Sequence, residues 1–120
     1  MLSAQDIEYL SKKFILSLRQ RNYSLHTIRA YSHDLGEFSD WLKKTFGGSD
    51  IRDKTRTMAR AYLGWLAEKN TGPVNVARKI YALRSFSKFC RAGDREFPDF
   101  YVYIRSPKLQ KRLPKFLSEA

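Results

Sequence analysis

Four runs of apolar residues at helical spacing, each with its own start signal, leave this chain little room to become anything but a bundle of α-helices. The first opens at Ser3, with Asp6 three residues on as in a capping box, and carries Ile7, Leu10, Phe14 and Leu18 on one face to about Arg21. The second opens at Ser24, with Tyr23 and Ile28 in the positions of a hydrophobic staple. Its stripe is Ile28, Tyr31, Leu35, Phe38 and Leu42, and Gly47-Gly48 is expected to end it through left-handed backbone. A third run, from about Thr55 or Arg56 to Lys69, turns Met58, Tyr62, Trp65 and Leu66 inward before Asn70-Thr71-Gly72 breaks it. The fourth starts with Pro73 at its first position, buries Val76, Ile80, Leu83, Phe86 and Cys90, and stops at Gly93. Asp99 to Ile104, after Pro98, reads as a short fifth segment of one helical turn or two, although its aromatic and β-branched residues are weak helix formers.

At 120 residues the chain fits one domain. With 42% hydrophobic and 14% aromatic residues it has the material for a core, so its net charge of +11 belongs to the surface. That charge is uneven. Residues 1–50 hold seven Lys or Arg against six Asp or Glu, and residues 51–120 hold sixteen against six. Such an excess suits a polyanion, since each neutralised phosphate releases counterions, but a membrane surface, an acidic protein or plain solubility would use it too.

Cys90 is the one cysteine, so no intrachain disulfide can form, and its apolar neighbours make it core filler. No run of about twenty apolar residues and no leader pattern is present, which predicts a cytoplasmic protein without membrane contact. Two histidines and one cysteine offer no metal-ligand spacing. Phosphate-binding glycine loops, hydrolase elbows, His-Glu-x-x-His and Cys-x-x-Cys motifs are missing as well. No metal, cofactor or catalytic residue is expected in this chain.

Three blocks carry a family likeness. The run Tyr23-Ser24-Leu25-His26-Thr27-Ile28-Arg29-Ala30-Tyr31-Ser32-His33-Asp34-Leu35, continuing to Phe38, Trp41 and Leu42, resembles the second helix of the N-terminal, core-binding domain of tyrosine recombinases of the Xer and phage-integrase type. Gly72-Pro73-Val74-Asn75-Val76-Ala77-Arg78-Lys79-Ile80-Tyr81-Ala82-Leu83-Arg84-Ser85-Phe86 is similar to that domain's fourth helix. Residues 106–118, with two prolines and a basic surplus, look like the linker into the family's catalytic domain. Here the chain departs from the family's pattern at Gly72, Asn75 and Ser32.

The resemblance implies an all-α, compact orthogonal four-helix bundle over residues 1–104, a basic linker over 105–120, and a sequence that stops at a domain border. It implies that the second and fourth helices cross the major groove of double-stranded DNA, which carries onto Thr27, Arg29, Asn75, Arg78 and Lys79. It also implies that intact protomers form a synaptic tetramer and exchange strands through a 3′-phosphotyrosine without a high-energy cofactor. The chemistry would lie in the missing domain, and this domain alone would be monomeric.

The helical faces extend that set. At roughly a hundred degrees per residue, His26, Arg29, Ala30 and His33 oppose Ile28 and Leu35. Further along, Glu37 and Asp40 would repel phosphate. Ser24 and Thr27 could hydrogen-bond phosphate at the helix start, although Ser24 also reads as a plain cap. On the fourth helix Arg78, Tyr81, Ser85 and Lys88 lie away from the stripe, with Asn75, Lys79 and Ala82 at its margins. Lys108, Lys111, Arg112 and Lys115 of the linker would follow the backbone or simply aid solubility. Tyr9 and Leu16 hint at a second packed surface on the first helix. Two alternatives stay open: a stand-alone DNA-binding regulator, and a protein-docking module built on Tyr81, Phe89, Tyr101 and Tyr103.

Overall fold

The structure, a computed structural model, describes residues 1–69 and 72–104, and of Tyr101 the backbone only. In chain order these form α1 (Ala4–Gln20), α2 (Leu25–Phe46), a 3₁₀ turn (Ile51–Lys54), α3 (Thr55–Lys69), α4 (Pro73–Gly93) and α5 (Phe100–Tyr103), with no strand among them. The all-α bundle is as expected. The basic linker, with Lys108, Lys111, Arg112 and Lys115, lies outside the described residues.

The ends of the helices show why the chain bends where it does. Ser3 Oγ accepts from the Asp6 N–H at 3.1 Å while the Asp6 carboxylate accepts from the Ser3 N–H at 2.9 Å, closing the capping box of α1. At its other end Asn22 takes φ +62°. The Tyr23 N–H then reaches the Leu18 carbonyl at 3.0 Å and the Asn22 N–H that of Arg19 at 3.1 Å. This is a Schellman closure made with asparagine, whose short polar side chain tolerates the left-handed region. Ser24 caps α2 by accepting from the Thr27 N–H at 3.1 Å.

Gly47 corrects the expectation for the end of α2, because it keeps right-handed values of φ −54° and ψ −32°. A Cβ there would lie 2.5 Å from the Lys43 carbonyl oxygen, so glycine supplies room and not handedness. Left-handedness is used at Gly72, whose φ of +91° and ψ of +151° only glycine adopts readily, directly before Pro73 opens α4.

Aromatic rings bind the helices into one core. Phe14 of α1 stacks on Tyr31 of α2 at 6.5 Å and meets Phe86 and Phe89 of α4 at 5.9 and 5.4 Å. Phe38 of α2 meets Tyr62 of α3 at 4.9 Å and Phe100 of α5 at 6.2 Å. Such pairs add about 0.5–1.5 kcal/mol each beyond the area they bury. Ser87 of α4 fixes α5, donating to the Pro98 carbonyl at 3.0 Å and accepting from the Phe100 N–H at 3.1 Å.

The buried face of α4 is broader than its apolar stripe. It takes in Lys79, Ala82 and Ser87 beside Ile80, Leu83, Phe86 and Cys90, while Val76 is only partly covered. Ala82, expected at the margin of the apolar stripe, is wholly buried. No helix among the described residues is long and apolar enough to cross a membrane.

Candidate nucleic-acid interface

A carboxylate in the wrong place organises the seam between α2 and α4. Asp34 falls three residues after Tyr31 and four before Phe38, on the inward side of α2, and is 1% exposed. A buried charge demands partners, and α4 supplies them. Arg78 donates from Nε to Oδ2 and from Nη2 to Oδ1, both at 2.9 Å, and Lys79 donates from Nζ to Oδ1 at 3.0 Å. Lys79 also reaches Glu37 Oε1 at 2.8 Å, and Lys69 of α3 bonds Glu37 Oε2 at 2.9 Å. Arg78 Nη1 donates to the Asn75 side chain at 3.3 Å.

The protonation states follow from this geometry. Burial would push the Asp34 carboxyl up, but hydrogen bonds and charge from Arg78 and Lys79 outweigh it and hold the group below its ordinary range. Burial acts on Glu37 in the same way and loses to Lys79 and Lys69. For Lys79, burial favours the neutral amine, yet Glu37 and Asp34 keep its affinity for a proton above the usual. Asp34 raises that of Arg78. All four groups are charged at neutral pH.

This corrects two expectations. Lys79 is 4% exposed, with its ammonium enclosed between Asp34 and Glu37, so it is a strut of the seam and offers no charge to a ligand. Glu37, expected to repel phosphate, is matched by two lysines. Asp34 was missed altogether. Its signal was legible as a carboxylate on the apolar stripe of α2, and Lys79 stands likewise three residues after Val76 and four before Leu83.

Around the seam the other candidates take unequal places. His26, Arg29 and His33 are exposed on α2, and Ser24 Oγ donates to Thr27 Oγ1 at 3.0 Å. Asp34 follows Arg29 by five residues, about 7.5 Å along the axis and roughly 140° around it, so Arg29 points well away from the side of α2 that meets Arg78. Asn75 is exposed beside Arg78. Ser85 and Lys88 instead line a cleft of about 460 Å³ with Tyr81, Arg84, Arg91 and Asp99. His33 borders a different groove, between α2 and α3, with Trp41, Trp65 and Lys69.

The docking-module residues are split. Tyr81 and Tyr103 are exposed, whereas Phe89 turns against Phe14. Tyr9 and Leu16 are exposed on α1, where Lys13 stands over the Tyr9 ring at 5.3 Å. Burial pushes the Cys90 thiol up to about 12, which suits an unreactive core residue.

Comparison with known proteins adds the family. Tyrosine recombinase XerC of Staphylococcus haemolyticus is 32% identical over 114 residues, covering 94% of this chain and 38% of that protein. Tyrosine recombinase XerC of Staphylococcus aureus is 32% identical over 120 residues with the same coverage. The chain therefore spans well under half the length of these relatives. No solved structure gives a significant match. The family model described as phage integrase, N-terminal SAM-like domain, matches residues 12–93. That match takes in the later part of α1 and all of α2, α3 and α4, so the chain belongs to the phage integrase N-terminal SAM-like domain family.

Proposed function

We propose that this chain is the core-binding domain of a site-specific tyrosine recombinase, gripping one side of a recombination half-site in duplex DNA. Strand exchange is then the work of a catalytic domain elsewhere in the parent polypeptide, and protomers meet in a synaptic tetramer. Family membership supports a DNA partner, and relatives more than twice as long support the division of labour.

The observation that carries the reading is the ion-paired seam. It locks α2 to α4, so the cations that the two helices carry are held in a fixed relation to one another. In this reading Arg29 and Arg78 neutralise phosphates together with Lys88 in the neighbouring cleft, Ser24, Thr27 and Asn75 add hydrogen bonds, and Ser85 adds one from that cleft. His26 and His33 approach the groove walls. Glu37 no longer opposes this, because Lys69 and Lys79 balance it. Lys79 drops out as a direct contact and acts from beneath.

Titration of a mixed-sequence duplex at several salt concentrations tests the proposal. Three cations meeting phosphate give a log–log salt slope of about −3. A chain that fails to bind, or binds with no dependence on salt, is not a DNA-gripping domain.

A further inference from the structure

Arg78 belongs to the seam and to the surface at once, since its side chain is 39% exposed while that of Asp34 is 1% exposed. A guanidinium has five N–H groups. Among the described residues two are taken by Asp34 and one by Asn75, and the other two are directed away from the carboxylate. The doubly bonded edge fixes the plane of the group, as a lysine ammonium in its place would not.

We infer that Asp34 is a positioning residue for DNA contact, acting through Arg78. Its carboxylate holds the guanidinium across the α2–α4 seam, so that the two remaining N–H groups form a rigid anchor for one backbone phosphate. Held back by its edge, Arg78 does not extend to base edges, which lie deep in a major groove about 8.5 Å deep. It sets where the two helices stand on the duplex without reading sequence. The inference rests on the DNA-binding reading above.

Charge alone predicts the opposite sign. The seam sums three cations against two anions, and removing the Asp34 charge makes the domain more cationic. Were Asp34 only a local counter-charge, Asp34→Asn would bind DNA more tightly. As a positioning residue, its loss weakens binding despite the added positive charge.

The test uses the full chain, Asp34→Asn, Arg78→Lys and the double variant, each titrated with two duplexes of unrelated sequence across a salt series, with folding checked by circular dichroism. Both single variants are expected to lose roughly tenfold in affinity on both duplexes, with the salt slope smaller by about one. The double variant should lose no more than either single, because both remove the same anchor. Asp34→Asn binding as tightly as the parent or tighter, or single losses that multiply in the double variant, overturns the inference. A purely structural Asp34 would lower the melting temperature and leave the affinity of folded protein unmoved. Should Asp34→Asn not fold, Arg78→Lys decides alone, and unchanged affinity there is fatal. Failure of the parent chain to bind any duplex sinks the proposed function itself, and this inference with it.

Discussion

Helix α2 meets the helices that follow it through two unlike junctions. Toward α3 and α5 it presents Phe38 and Trp41 to Tyr62, Trp65 and Phe100, rings that gain from any close apolar contact. Toward α4 it presents Asp34 and Glu37 to Arg78 and Lys79, from 42 to 45 residues further along the chain. The first junction stabilises by area and tolerates approximate fit. The second works only when each desolvated charge finds its partner in the right register, so it contributes alignment more than net stability.

Breaking each junction once should separate them. Phe38→Ala and Lys79→Ala are each expected to cost about 3–5 kcal/mol, the former through a cavity and the latter through the loss of one partner from each of the two carboxylates, as read from urea unfolding. Equal losses are uninformative alone, and pH tells them apart.

Asp34 and Glu37 are held below ordinary values of 3.8 and 4.5, so their stabilisation is complete above about pH 4.5 and is lost as pH falls through the depressed folded values. Lys79 is held above its ordinary 10.5, so its share is complete below that pH and is lost as pH rises through the raised folded value. Unfolding measured across pH should therefore show a plateau with two falling limbs. Phe38→Ala should run parallel beneath it, while Lys79→Ala loses the basic limb of the seam and flattens the acid one.

The smallest effect has the opposite sign. Ser39 Oγ is buried on α2 with no hydrogen-bond partner among the described residues. Ser39→Ala should raise stability by up to about 1 kcal/mol, visible as a higher melting temperature, and leave both limbs unchanged.

The two junctions also differ in how openly the sequence announces them. Helical periodicity, the Ser3 and Ser24 caps and Pro73 reveal the elements and the ring-lined junction, because local spacing dictates both. The α1 closure escaped notice because asparagine, not glycine, takes the left-handed position at residue 22. Gly47 marks the end of α2, but through lack of room rather than handedness.

The candidate site was half legible. Arg29 and Arg78 stand out by helical face, whereas Lys79 reads as one more surface cation until Asp34 is brought beneath it. Only the fold pairs residues more than forty positions apart, so a long-range ionic contact leaves no local mark beyond a charge on an apolar stripe.

Ser87 grips both sides of the corner at Pro98 and Phe100, and Ile104 is buried with its N–H on the Phe100 carbonyl at 2.8 Å. A tug on the polypeptide beyond Ile104 is thus resisted at that corner before it reaches α2. The corner at Pro98 is thereby pinned to the same helix, α4, that carries Arg78.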